Sequence, residues 1–128
     1  MNKILLTGST GFIGSELLKG LSKKNIIFIT LRKKNKFYPE NKNIRIIYFK
    51  NYNQLNNRLK KLSIDPVIHC ASHYVKHHNY EDIIKLSDSN ITFGNIILEN
   101  LDKMKVKKFI NFSTRWVNYN GKKNNSFN

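Results

Sequence analysis

Cysteine appears once in these 128 residues, no long apolar run occurs, and acidic side chains number only 8 against 23 lysines and arginines. The lone Cys70 has no partner for an internal disulfide, so nothing points to an oxidising compartment and the cytoplasm is the expected location. The start of the chain offers three consecutive apolar residues, Ile4, Leu5 and Leu6, too few for a signal-peptide core or a membrane span. No run elsewhere is long enough for either, and no membrane association is expected. The shortage of acid leaves a formal charge of +15, which taken alone suggests a polyanionic partner. Arginine is scarce as well: only Arg32, Arg45, Arg58 and Arg115 occur, and nucleic-acid readers depend on Arg for bidentate contacts. The lysines accompany 19 asparagines and 16 isoleucines, as a general compositional drift would produce. A basic nucleic-acid-binding protein is therefore the most distant of the readings kept open.

The chain is rich enough in apolar residues to fold. Hydrophobic residues make up 40% and include 8 Phe and 6 Tyr, enough surface to offset chain entropy in a single domain of ordinary size. Short apolar runs alternate with longer amphipathic stretches, the pattern of β-strands joined by helices. Strands are expected at Ile4–Thr7, Ile26–Leu31, Ile44–Phe49, Pro66–Ala71 and Val106–Ser113. Between them, helices are expected after Phe12, around Leu55, Leu59 and Leu62, and as one long element from Tyr80 to Lys103 carrying Ile83, Ile84, Ile91, Ile96, Ile97 and Leu101. Right-handed crossovers arrange five such strands in the order 3-2-1-4-5. The expected fold is thus α/β, a Rossmann-like doubly wound parallel sheet with its crevice between strands 1 and 4. The sheet is expected to be cut off after strand 5, leaving an exposed edge. Residues 1–117 are read as the domain and Asn118 to Asn128 as a loose polar tail.

The run Thr7-Gly8-Ser9-Thr10-Gly11-Phe12-Ile13-Gly14 follows the first strand and opens a helix, the context a dinucleotide fingerprint requires. Gly8 suits the tight turn, Gly11 lets the backbone approach a pyrophosphate, and Gly14 lets the helix pack closely on the sheet. The helix start then offers unpaired N–H groups and a positive dipole end to the phosphates. His69, Cys70, His73, His77 and His78 lie close in sequence but match no standard zinc spacing, and no metal site is expected.

The stretch Thr-Gly-x-x-Gly-Phe-Ile-Gly resembles the extended short-chain dehydrogenase/reductase family, the NAD(P)-dependent epimerases and dehydratases of nucleotide sugars. Asp65 to Ser72 is similar to that family's fourth-strand pattern, which implies that Cys70, Ala71 and Ser72 lie beside the cofactor. Asn90 matches a helix asparagine of the family, although Gly94 falls one place late. Val106 to Thr114 resembles the strand that delivers a catalytic Ser or Thr, which implies Thr114 in that role. The resemblance also places Thr10, Phe12 and Ile13 in the cofactor loop, and Asn51 and Tyr52 near the adenine, where Asn51 replaces the family's Asp.

An acidic residue after strand 2 would favour NAD(H), but this chain has Arg32-Lys33-Lys34, which suits the 2′-phosphate of NADP(H). NADP(H) is the favoured cofactor and NAD(H) the other candidate. The family's catalytic Tyr-x-x-x-Lys pair has no credible counterpart: Tyr38/Lys42 and Tyr119/Lys123 fall in Pro- or Gly-containing stretches, and six Tyr among 19 Lys supply about one such pair by chance. Trp116 is a candidate for lining a substrate pocket. The resemblance implies the cofactor-binding half of an enzyme acting on a nucleotide sugar, with the C-terminal substrate-binding part absent and a homodimer allowed. The alternative is a non-catalytic NAD(P)-binding module or sensor.

Overall fold

The computed structural model describes residues 1–33 and 41–113; the expected tail from Asn118 to Asn128 lies outside the described residues. Five strands, β1 (Lys3–Thr7), β2 (Ile26–Leu31), β3 (Ile44–Tyr48), β4 (Pro66–His69) and β5 (Lys108–Asn111), form one sheet in the order β3-β2-β1-β4-β5. Every pairing is parallel, with Leu5 opposite Phe28 on one side and Val67 on the other. The Rossmann-like order expected from the alternation of elements is the one observed. β4 and β5 stop two residues earlier than expected.

The period-2 geometry of β1 builds two cores at once, because successive side chains point to opposite faces. Leu5 joins Val67, Ile47 and Phe49 beneath two helices, α2 (Tyr52–Leu59) and α4 (Phe93–Glu99), which contribute Leu55, Leu59, Phe93 and Ile97. Ile4 and Leu6 turn the other way, joining Ile27, Ile29, Leu31 and Ile68 under Leu18 of α1 (Phe12–Leu21). Helices therefore cover both faces, as strands apolar on both sides require. Among the described residues no helix is long and apolar enough to cross a membrane.

The long helix expected from Tyr80 to Lys103 is not continuous. It consists of α3 (Tyr80–Ser87), a single π-helical turn at Asp88–Thr92, and α4, which ends at Glu99. The wider turn shifts the phase of the apolar pattern. Phe93 and Ile97 face the core, whereas Ile83, Ile84 and Ile91 are left 47%, 72% and 60% exposed. The helix stops early because Asn100, fully buried, turns its amide back to the Ile96 carbonyl (2.8 Å) and across to Asn56 Oδ1 (2.9 Å). One carbonyl that a helix end would strand is thereby satisfied. Leu101 and Lys103 lie in the turn that follows, where Lys105 takes a positive φ of 60°.

Candidate functional site

The strand order reverses between β1 and β4, and their C-terminal ends open a crevice of about 850 Å³. In open parallel sheets this is where ligands bind. One wall is the loop from β1 into α1, with Gly8, Thr10, Gly11, Phe12, Ile13 and Gly14. A second wall is the chain leaving β4, Cys70, Ala71 and Ser72, and the far end is formed by Thr30, Leu31, Arg32 and Lys33 after β2.

The three motif glycines answer to different constraints. Gly8 adopts φ +70°, and a Cβ there would lie 2.6 Å from Ala71 N and from the Cys70 carbonyl carbon. A Cβ on Gly14 would collide with the carbonyl oxygen of Gly8, so the helix rides directly on the turn. Gly11 differs: a Cβ there would sit 3.4 Å from Gly8 O, an ordinary contact, in an extended backbone conformation any residue adopts. Packing alone does not require glycine at Gly11, whereas a ligand backbone approaching that face would. Gly11 also begins α1 without a side-chain cap, and the first-turn residues Phe12, Ile13 and Gly14 line the opening, so N–H groups that a helix start leaves without intrahelical partners lie at its wall. This cradle fits the pyrophosphate of a dinucleotide.

A buried polar node fixes the walls relative to one another. Ala71 N–H donates to Thr7 Oγ1 (3.3 Å), and Thr7 Oγ1 lies 2.8 Å from His69 Nδ1. The hydroxyl donates to Nδ1 or accepts from it according to the ring tautomer, and a neutral imidazole serves either arrangement. Burial lowers the His69 pKa, which favours the same neutral form. The ring lies between Phe93 and Phe109, with centroids 5.7 and 6.2 Å away, while Cys70 packs on the other face of the sheet. Burial raises the Cys70 pKa and keeps the thiol protonated. Among the described residues no three His, Cys, Asp or Glu side chains converge to hold a metal ion.

Of the residues singled out from sequence, the glycine loop, Arg32 and Cys70–Ser72 all line the crevice. Three others do structural work beside it. Asn51 caps α2, accepting from Gln54 N–H at 3.0 Å. Asn90 clamps the loop after β4, accepting from His73 N–H (2.7 Å) and donating to His73 O (2.9 Å). Tyr52 lies against Arg32, which donates to its hydroxyl at 2.6 Å, and the hydroxyl donates to the Asp88 carbonyl at 3.1 Å. Burial, followed by hydrogen bonding to Asp88, pushes the Tyr52 pKa up to about 12. Thr114, Trp116, Tyr38 and the Tyr119/Lys123 pair lie outside the described residues. Sequence reasoning missed Phe49, Ser89 and Phe93, which line the crevice, and Asp88, whose carboxylate lies 2.6 Å from Arg32 Nη1.

The sequence pattern of the NAD dependent epimerase/dehydratase family matches residues 4–125, nearly the whole chain. The chain belongs to this family. It is 36% identical to a dTDP-D-glucose 4,6-dehydratase of Dictyostelium discoideum, over 89% of this chain but 29% of that protein. Among solved structures it resembles UDP-glucuronic acid 4-epimerase of Bacillus cereus, seen with NAD (TM-score 0.74, 26% identity, 98% of this chain and 44% of the other). It also resembles a short chain dehydrogenase of Leptospira borgpetersenii with bound NAD+ (TM-score 0.77, 17% identity, 95% of this chain and 55% of the other). This member of the epimerase/dehydratase family thus spans less than a third of the curated relative and about half of the structural ones.

Proposed function

We propose that the chain binds a nicotinamide dinucleotide across the crevice between β1 and β4 and forms the coenzyme half of an enzyme that oxidises or reduces a nucleotide-sugar hydroxyl or ketone. The observation that carries the binding reading is Gly11, a glycine that packing does not demand, at an uncapped helix start that lines the opening. The main-chain N–H groups of Phe12 and Ile13 would hold the pyrophosphate, and Cys70 to Ser72 would border the nicotinamide side. When bound, the coenzyme supplies hydride exchange with the sugar carbon.

The chain's own part is to bind, orient and exclude water, with Phe49 and Phe93 providing apolar wall. Thr114, following β5, is proposed to hydrogen-bond the reacting sugar oxygen. The nucleotide-sugar substrate is supported by the relatives, a dTDP-D-glucose dehydratase and a UDP-glucuronic acid epimerase. Arg32 and Lys33 lie at the end of the crevice that the 2′-phosphate of NADP(H) would reach, and the pairing of Arg32 with Asp88 lessens their pull on it. Both NADP(H) and NAD(H) belong to the proposal. A single cysteine and a nicotinamide coenzyme suit the cytoplasm.

The test is titration of the purified chain with NADH and NADPH, following nicotinamide fluorescence, beside a Gly11→Val variant. Saturable binding by the wild type and its loss in Gly11→Val is the expected result. Absence of binding to a chain that circular dichroism shows to be folded overturns the reading. A non-catalytic dinucleotide-binding module is the second reading, favoured by the lack of a Tyr-x-x-x-Lys pair on any helix among the described residues. It predicts the same binding with no turnover of any nucleotide sugar.

A further inference from the structure

The chain leaving β2 carries no carboxylate where one could receive the adenosine ribose hydroxyls; the first residue there is Arg32. Arg32 is not an isolated cation. Its Nη1 lies 2.6 Å from Asp88 Oδ2 and its Nη2 donates to the Tyr52 hydroxyl at 2.6 Å. Its guanidinium plane lies over the rings of Tyr52 and Phe49, 5.5 and 5.9 Å from their centroids. A delocalised, weakly hydrated cation with both rings, a carboxylate and a hydroxyl as partners is already engaged when a new anion arrives, although its side chain is 49% exposed.

Asp88 comes from a different part of the fold, the first residue of the π-helical turn, 56 positions beyond Arg32 in sequence. The same turn puts the neighbouring Ser89 on the crevice wall. Single π-helical turns are rare and frequently sit at functional sites. Here the turn sets a carboxylate against Arg32, which lines the crevice, and that carboxylate remains 31% exposed. Burial alone would raise its pKa, but hydrogen bonds from Tyr52 and Arg32 and the Arg32 charge outweigh this and hold it below the usual carboxylate value.

We infer that Asp88 selects the coenzyme, standing in from the π-helical turn for the acidic residue missing after β2, so that the chain takes NAD(H) in preference to NADP(H). The inference rests on the dinucleotide reading of the crevice. A 2′-phosphate brings close to two negative charges, for which an unpaired Arg32 would be a bidentate partner. With Asp88 attached, the guanidinium is already neutralised, and the carboxylate repels the incoming phosphate. A ribose hydroxyl, by contrast, donates to a carboxylate without charge conflict. Lys33 is exposed, and its attraction for phosphate is screened by solvent and salt.

The experiment measures the affinities of the full chain for NADH and NADPH, in the wild type, Asp88→Asn and Asp88→Ser. The expected wild-type result is NADH tighter than NADPH by roughly tenfold, with the ratio moving roughly tenfold or more toward NADPH in both variants. The ratio is the informative quantity, because a merely structural contact would weaken both coenzymes together. NADH binding with a ratio unchanged in the variants makes the Arg32–Asp88 pair a packing feature and overturns the inference while the crevice reading stands. A wild type that prefers NADPH also overturns it, and needs no variant to fold. Failure of both coenzymes to bind the folded wild type overturns the crevice reading and this inference with it.

Discussion

A Cβ placed on the three motif glycines would meet crowded backbone at Gly8 and Gly14 but only one ordinary contact, with Gly8 O, at Gly11. Substitution should therefore separate stability from binding. Gly14→Ala is expected to cost about 1–3 kcal/mol in chemical denaturation, the usual range for overpacking. Gly11→Val is expected to fold with a loss of about 1 kcal/mol, because Val starts a helix less well than Gly, yet to lose dinucleotide binding in the fluorescence titration. At His69 the folded pKa lies below the ordinary 6.5. The unfolded chain then takes up a proton that the folded chain refuses, so stability is fully present above about pH 6.5 and falls as pH drops toward the lowered value. Denaturation midpoints compared at pH 7.5 and 5.5 should show that loss, and a His69→Phe variant should lack this component. The glycines and the fourth-strand residues were legible in the sequence because each group falls in one short contiguous string that matches a known pattern. The partner of Arg32 was not, since nothing near Arg32 marks a carboxylate 56 positions away.

The strands and the first two helices follow from their apolar periods; strand boundaries agree with the sequence reading to within about two residues, while α2 ends at Leu59 and leaves Leu62, expected on the same helix face, in the loop beyond it. The region from Tyr80 onward does not follow, for an identifiable reason. Neither a proline nor a glycine interrupts Tyr80–Phe93, so propensity gives no sign of the π-helical turn, and the isoleucines at 83, 84 and 91 look like a core stripe. The asparagines that organise this part act through amide geometry, which composition does not reveal. Asn90→Ala should leave the His73 main-chain groups without their amide partner, and hydrogen exchange is expected to be faster at the His73 N–H than in the wild type. Asn100→Ala should remove the partner of the Ile96 carbonyl and of Asn56 Oδ1, both partly buried, at a cost of about 1 kcal/mol in denaturant midpoint analysis.

For the whole molecule, the formal charge of +15 in 128 residues is a source of self-repulsion in the compact state. Raising salt from low concentration to the physiological range is expected to raise the thermal midpoint, as screening shortens the reach of that repulsion to about 8 Å. A bound coenzyme acts in the same direction by mass action. At a free concentration one hundred times its dissociation constant it should add about 2.7 kcal/mol, and none of this should appear in Gly11→Val. The contact of Gly8 with the Cys70–Ala71 peptide adds a kinetic consequence. The two walls of the crevice lie more than sixty positions apart along the chain, so their meeting is a long-range closure of the kind that slows folding. A chain emerging from the ribosome with β1, α1, β2 and β3 assembled would hold the glycine loop but only one side of the cleft. Coenzyme capture should then begin only when β4 slots in beside β1, which makes dinucleotide fluorescence a clock for the arrival of the central parallel pair.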